Sequence, residues 1–142
     1  MFAGVVGGLG LIVYLVAVQI GANRVVVPIP PAGHWWTVPV IAFGAVAAAL
    51  LEEVVVVGYL VTRLEQLHWS AVAAIGASAL LRGGYHLYQG WGGFIGNVAM
   101  GAFFAWWFVR TRRLWPLVIA HALIDLAAGV GYLLIAPHVP WV

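Results

Sequence analysis

Residues 38–67 read VPVIAFGAVAAALLEEVVVVGYLVTRLEQL, and this one stretch decides the fold. Its first fourteen residues carry no charge, the adjacent pair Glu52 and Glu53 follows, and a second apolar run leads to Arg63, Glu65 and Gln66. With His68 these polar residues mark a wet end. A helix needs roughly 20 mostly apolar residues to cross a bilayer. The run is longer than a perpendicular crossing requires, so the sequence predicts a tilted or protruding membrane helix with two carboxylates deep inside it.

The rest of the chain agrees with that reading. The 142 residues are 65% hydrophobic and 7% charged, with a mean hydropathy of +1.07, whereas soluble domains carry about 25% charged residues. An apolar run from Phe2 to Ala22 predicts a first span. It lacks a basic start, and its apolar core exceeds the roughly 7–15 residues of a signal peptide, so it is read as a retained helix. Residues 23–37 hold Arg24, Pro28, Pro30 and Pro31 and end in Trp35 and Trp36, an extended loop with an interfacial anchor. A third helix is predicted from Ser70 to Tyr88, a turn over 89–93, a fourth helix to about Val109 and a loop at Arg110–Arg113. The fifth carries Pro116 in its first turn, where a missing N–H costs nothing, and reaches Ile135.

The fold class is therefore an all-α, polytopic transmembrane bundle of about five spans. It divides into an N-terminal helix and loop (1–37), a core (38–136) and a short tail (137–142). Arg63, Arg110, Arg112 and Arg113 fall in loops on one side, which the positive-inside rule makes cytoplasmic. With no cysteine there is neither a disulfide nor a thiolate site. A net charge of +2 and the lack of a basic stripe exclude nucleic acid as a partner, leaving membrane lipid and a membrane-associated peptide or protein.

Ionisable groups inside hydrocarbon cost at least a few kcal/mol, so each is a functional hypothesis. They are Glu52 and Glu53 on one helix, Arg82 and His86 on the next, and His121 and Asp125 on the last. An antiparallel turn near 67–70 sets level those positions whose numbers add to about 137. That places Tyr85 opposite Glu52, and Arg82 within reach of Glu53. His121 and Asp125, four apart, share a helix face. A depth count from Arg113 leaves His121 shallower than His86, a mismatch that tilt must absorb. Gly83, Gly84, Gly92, Gly93, Gly96 and Gly101 are expected to let helices approach closely. The bland alternative is that these pairs only glue helices together. Ser70 and Ser78 are the only serines, and neither sits where a serine nucleophile is expected.

The order Glu52-Glu53, then Tyr85-His86, then His121-Ala122-Leu123-Ile124-Asp125 resembles the CPBP family of intramembrane proteases. That family includes the type II CAAX prenyl endopeptidases and the bacterial Abi and lysostaphin-resistance-like proteins. The similarity covers about residues 38–130 and departs from the family pattern twice. Val57 stands where the first motif has Arg, and Arg82 stands where the second has Phe. An arginine has in effect moved to the neighbouring helix. The chain also has fewer helices before the first motif than family members usually carry, as a compact member or a truncated one would.

The resemblance implies a multi-pass protein of the bacterial cell membrane that hydrolyses a peptide bond in a membrane-associated or prenylated-type substrate. Glu52 is then general base on a water that His86 orients, and His121, held by Asp125, stabilises the oxyanion. Glu53, Arg82 and Tyr85 have supporting places. No cofactor is expected. A zinc version on Glu52, His86 and His121 is the alternative chemistry. Two rivals use the same residues differently: a non-catalytic immunity or scaffold protein, and a small transporter or proton relay. The absence of an inverted repeat counts against the second rival.

Overall fold

The computed structural model describes Val16, residues 18–23 and residues 34–135. The predicted first span, most of the loop after it and the 137–142 tail lie outside the described residues, apart from Val16, residues 18–23 and 34–37. Four helices form the described bundle. Helix α1, Thr37–Gln66, contains 30 residues, about 45 Å at 1.5 Å per residue. It begins and ends one residue before the predicted stretch.

Winding along α1 is not uniform. Thr37–Leu51 and Leu60–Gln66 are α-helical, but Glu52–Tyr59 between them is a π-helix, in which Leu60 N–H reaches the carbonyl of Val55. Runs of this kind are rare and concentrate at functional sites. Here the π-segment begins on the two glutamates.

Helix α1 ends in a turn with His68 at φ 64, and the Ser70 hydroxyl accepts the Ala73 N–H at 3.2 Å to start the next helix. Helix α2, Ala71–Tyr85, returns antiparallel to α1. The Ser78 hydroxyl donates to the Val56 carbonyl at 2.7 Å and fixes the register. The helix closes at Tyr85, three residues before the predicted end, because Leu87–Gln89 tighten into a 3₁₀ turn. It stops level with Glu52.

Gly90, at φ 104, then pairs with Asn23. The Asn23 side-chain oxygen accepts the Gly93 N–H at 2.6 Å, anchoring the start of helix α3, Trp91–Thr111. Helices α2 and α3 pack through Gly83, where a Cβ would lie 2.3 Å from Val98 Cγ2, and through Gly101, where it would lie 2.9 Å from Arg82 Cδ. Gly84 and Gly96, also expected to mediate packing, face open space.

Helix α3 runs through Arg110, and the predicted loop shrinks to residues 112–114. Arg112 ends the helix at φ 55 and grips Glu65 with two hydrogen bonds, of 2.6 and 2.9 Å. Those bonds push the guanidinium's pKa up and tie this loop to the end of α1. Helix α4, Trp115–Ile135, has Pro116 in its first turn as predicted. It packs along the first half of α1, with Ile41 filling the space beside Gly129.

The apolar core comprises Val57, Val61, Ala74, Phe104, Ala105, Phe108, Leu117 and Ala120. Every one lies on the arginine-rich side of the glutamates. Large apolar side chains such as Phe43, Leu51, Val72, Leu80, Ile95 and Ile119 point outward, as a lipid-facing surface requires. The fold is an all-α membrane helix bundle. Among the described helices α1, α3 and α4 are long and apolar enough to cross a membrane. The 15-residue α2 is shorter than the expected third span.

Candidate active site

Three helices converge on the middle of α1. Glu53 is wholly buried, and so is Arg82, the residue on α2 that faces it. Arg82 Nη1 donates to Glu53 Oε1 at 2.7 Å, while Nη2 lies 3.3 Å from Glu52 Oε2. One guanidinium thus contacts both carboxylates. Its aliphatic stem fits the space that Gly101 leaves, and its Cζ sits 5.3 Å over the Phe104 ring. A charge buried this deeply is tolerable only when paired, and the aromatic face adds a further attractive contact.

Helix α4 brings His121 to the same point. Its Nδ1 is 2.8 Å from Glu53 Oε1. The same nitrogen lies 3.0 Å from Arg82 Nη2, which only donates, so Nδ1 donates to Glu53 in one tautomer and accepts from Arg82 in the other. Nε2 then faces Asp125 Oδ2 at 3.4 Å. Asp125 is the open end of the cluster, with 39% of its side chain exposed. The expected depth mismatch does not keep the two helices' groups apart: His121 stands within 3.0 Å of both Glu53 and Arg82.

His86 caps the C-terminus of α2. Its Nδ1 lies 3.0 Å from the Arg82 carbonyl, which only accepts, so Nδ1 is the donor and a neutral ring presents the Nε2 lone pair. That nitrogen faces Glu52 Oε1 at 4.0 Å. On the other carboxylate oxygen, the Tyr85 hydroxyl donates to Oε2 at 2.8 Å. Glu52 is 17% exposed, unlike Glu53. The adjacent glutamates therefore occupy different worlds, one sealed in an ion pair and one open at the mouth of the cluster.

The structure brings together Glu52, Glu53, Arg82, Tyr85, His86, His121 and Asp125. The sequence register foresaw the Tyr85–Glu52 and Arg82–Glu53 contacts. It missed the bond from His121 to Glu53 and the seat that Phe104 and Gly101 make for Arg82. In the sequence Gly101 reads only as a packing residue, and nothing singles out Phe104. Among the described residues no three His, Asp or Glu side chains are grouped so as to hold a metal ion. The Arg82 cation stands within 3.5 Å of Glu52, Glu53 and His121.

A family model for type II CAAX prenyl endopeptidase Rce1-like proteins matches residues 34–127. The chain belongs to the Rce1-like family. No curated protein and no solved structure matches it. The matched span of this Rce1-like chain includes every residue of the cluster, from Glu52 to Asp125. Its Val57, at the position of the first-motif arginine, is fully buried in the apolar core. The arginine present in the cluster is Arg82, which approaches Glu53 from the facing helix.

Proposed function

We propose that this chain is an intramembrane endopeptidase that hydrolyses a peptide bond of a membrane-associated or prenylated-type substrate in the bacterial cell membrane. The observation that carries the reading is the pairing of partly exposed Glu52 with the Nε2 lone pair of His86, 4.0 Å apart. A water that donates one hydrogen to Glu52 Oε1 and the other to His86 Nε2 has its own lone pair free for attack. Glu52 takes the proton as the water oxygen bonds to the scissile carbonyl carbon, then passes it to the departing amine as the C–N bond breaks. In the tautomer whose Nδ1 accepts from Arg82 Nη2, His121 carries its hydrogen on Nε2 and offers it to the oxyanion, Asp125 Oδ2 holding that N–H beforehand.

The reading is metal-free. Arg82 already supplies positive charge beside both glutamates, and a divalent ion among the same groups would meet its repulsion. Membership of an endopeptidase family supports hydrolysis over a purely structural cluster. So does the exposure of Glu52, since an ion pair that serves only to glue helices needs no opening.

The test is cleavage of internally quenched peptides ending in a CAAX sequence, with and without a farnesyl group, by purified protein in detergent. Wild-type protein is expected to cleave at least one of them, and Glu52→Gln none. Cleavage that survives Glu52→Gln would overturn the mechanism, and a wild type inert toward both would overturn the peptidase reading.

A further inference from the structure

The polar contacts of Glu52 divide between its two oxygens. Oε1 faces His86 Nε2, whereas Oε2 receives the Tyr85 O–H at 2.8 Å. Tyr85 is the last residue of α2, 37% exposed, and its ring packs against the His86 imidazole with centroids 4.7 Å apart. It thus touches both groups that handle water while standing at the open side of the cluster. The other candidate donor, His121, is 3% exposed, with its Nδ1 wedged between Glu53 Oε1 and Arg82 Nη2. Of the two donors on Glu52 Oε2, Arg82 Nη2 at 3.3 Å and the Tyr85 hydroxyl at 2.8 Å, Tyr85 is the accessible one.

We propose that Tyr85 is a catalytic residue whose hydroxyl moves its hydrogen bond from Glu52 to the oxyanion of the substrate during attack. The inference rests on the hydrolytic reading of Glu52 and His86, and it gives that site a second donor. Before attack Glu52 is the strongest acceptor within reach of the hydroxyl, and Tyr85 holds it with Oε1 turned to the water. During attack the water proton passes to Glu52 and cancels its charge. At the same moment the carbonyl π electrons collect on the substrate oxygen. The strongest acceptor beside Tyr85 is then the oxyanion, and the hydroxyl turns to it. Tyr85 keeps its own proton throughout. The proton taken by Glu52 leaves on the amine, and collapse of the oxyanion returns the hydrogen bond to the ionised carboxylate.

A donor that acts only as charge develops lowers the barrier without tightening ground-state binding. Deleting one such donor typically slows turnover by about 10²–10³-fold. A hydroxyl that only positions Glu52 has a different signature. It is indifferent to whether the atom that becomes negative is oxygen or sulfur, whereas an oxyanion donor bonds sulfur poorly.

The experiment compares wild type with Tyr85→Phe on the quenched CAAX peptides and on the same peptides with the cleaved C=O replaced by C=S. Phenylalanine keeps the ring on His86, and size-exclusion profile and thermal midpoint verify the fold. The expected result is a kcat about 10²-fold lower with KM within about threefold of wild type, together with a smaller oxygen-to-sulfur rate ratio in the variant. A Tyr85→Phe kcat close to wild type overturns the proposal. A slowed variant whose oxygen-to-sulfur ratio is unchanged overturns it too, leaving Tyr85 as a partner of Glu52 alone. Wild-type protein inert on every peptide overturns the hydrolytic reading and this inference with it. Retained turnover in Tyr85→Phe overturns only this inference.

Discussion

Arg82 Nη1 meets Glu53 Oε1 at 2.7 Å across the seam between α1 and α2, with both side chains withdrawn completely from the surface. The same guanidinium reaches Glu52 at 3.3 Å and lies beside His121 at 3.0 Å. Three groups of the cluster therefore depend on one cation. Removing one partner of such a pair leaves an uncompensated buried charge, which costs about 3–5 kcal/mol. Arg82→Leu is expected to lower stability by that order and to abolish turnover.

Position 57 offers a way to return the charge. Val57 belongs to the same apolar cluster as Phe104, the ring beneath Arg82. An arginine placed there can reach the same aromatic face and carboxylates. Val57→Arg in the Arg82→Leu background is expected to recover part of the stability and activity, while in the wild-type background it adds bulk and a second cation and destabilises. A double-mutant cycle on thermal unfolding and cleavage measures the coupling. Wild-type behaviour of Arg82→Leu, or no recovery on adding Val57→Arg, contradicts the idea of a relocated counter-ion.

Glu52 and Glu53 are expected to separate function from folding. General-base catalysis contributes about 10²–10⁴-fold, so Glu52→Gln and His86→Ala should lose at least that much turnover while eluting as monodisperse protein. Glu53→Gln, which removes the negative charge that Arg82 and His121 share and leaves only a neutral amide oxygen, should instead lower the thermal midpoint sharply. Equal midpoints for Glu52→Gln and Glu53→Gln would contradict this division.

Gly101 gives a steric test. A Cβ there lies 2.9 Å from Arg82 Cδ and 3.2 Å from Ala79 Cα, so backbone as well as side chain stands in its way. Gly101→Ala is expected to cost about 1–3 kcal/mol by overpacking and to depress activity through displacement of Arg82. Gly96→Ala, where nothing lies within 4 Å, is the control and should be close to neutral.

Metal dependence is tested by exhaustive chelation. Activity should survive, and elemental analysis should find far less than one zinc per chain. Chelator-sensitive turnover restored by added Zn²⁺ would replace the proposed mechanism with the metal-dependent one.

Much of this arrangement could be read before any coordinates. The apolar run at 38–67 became helix 37–66, and the level-sum of 137 placed Tyr85 on Glu52 directly. The sum is 135 at the Arg82–Glu53 contact and 134 where Ser78 meets Val56, since a side chain can reach a partner off its own level. No residue pattern announces the π-segment that begins at Glu52. The place of His121 is not legible in the same way. Counting residues from a loop assumes that neighbouring helices start at one depth and share one tilt, which a single sequence does not state. The early end of α2 depends on a turn after His86 that its largely apolar sequence does not advertise.

The position of the apolar core has a consequence for traffic. Val57, Val61, Phe104, Phe108 and Leu117 fill the space between the cluster and the arginine-rich end, most of them with no exposure at all. Among the described residues the cluster is therefore closed toward that end by packed hydrocarbon. On the proposed peptidase reading, substrate, water and both fragments share the other side, where Glu52, Tyr85 and Asp125 keep some exposure.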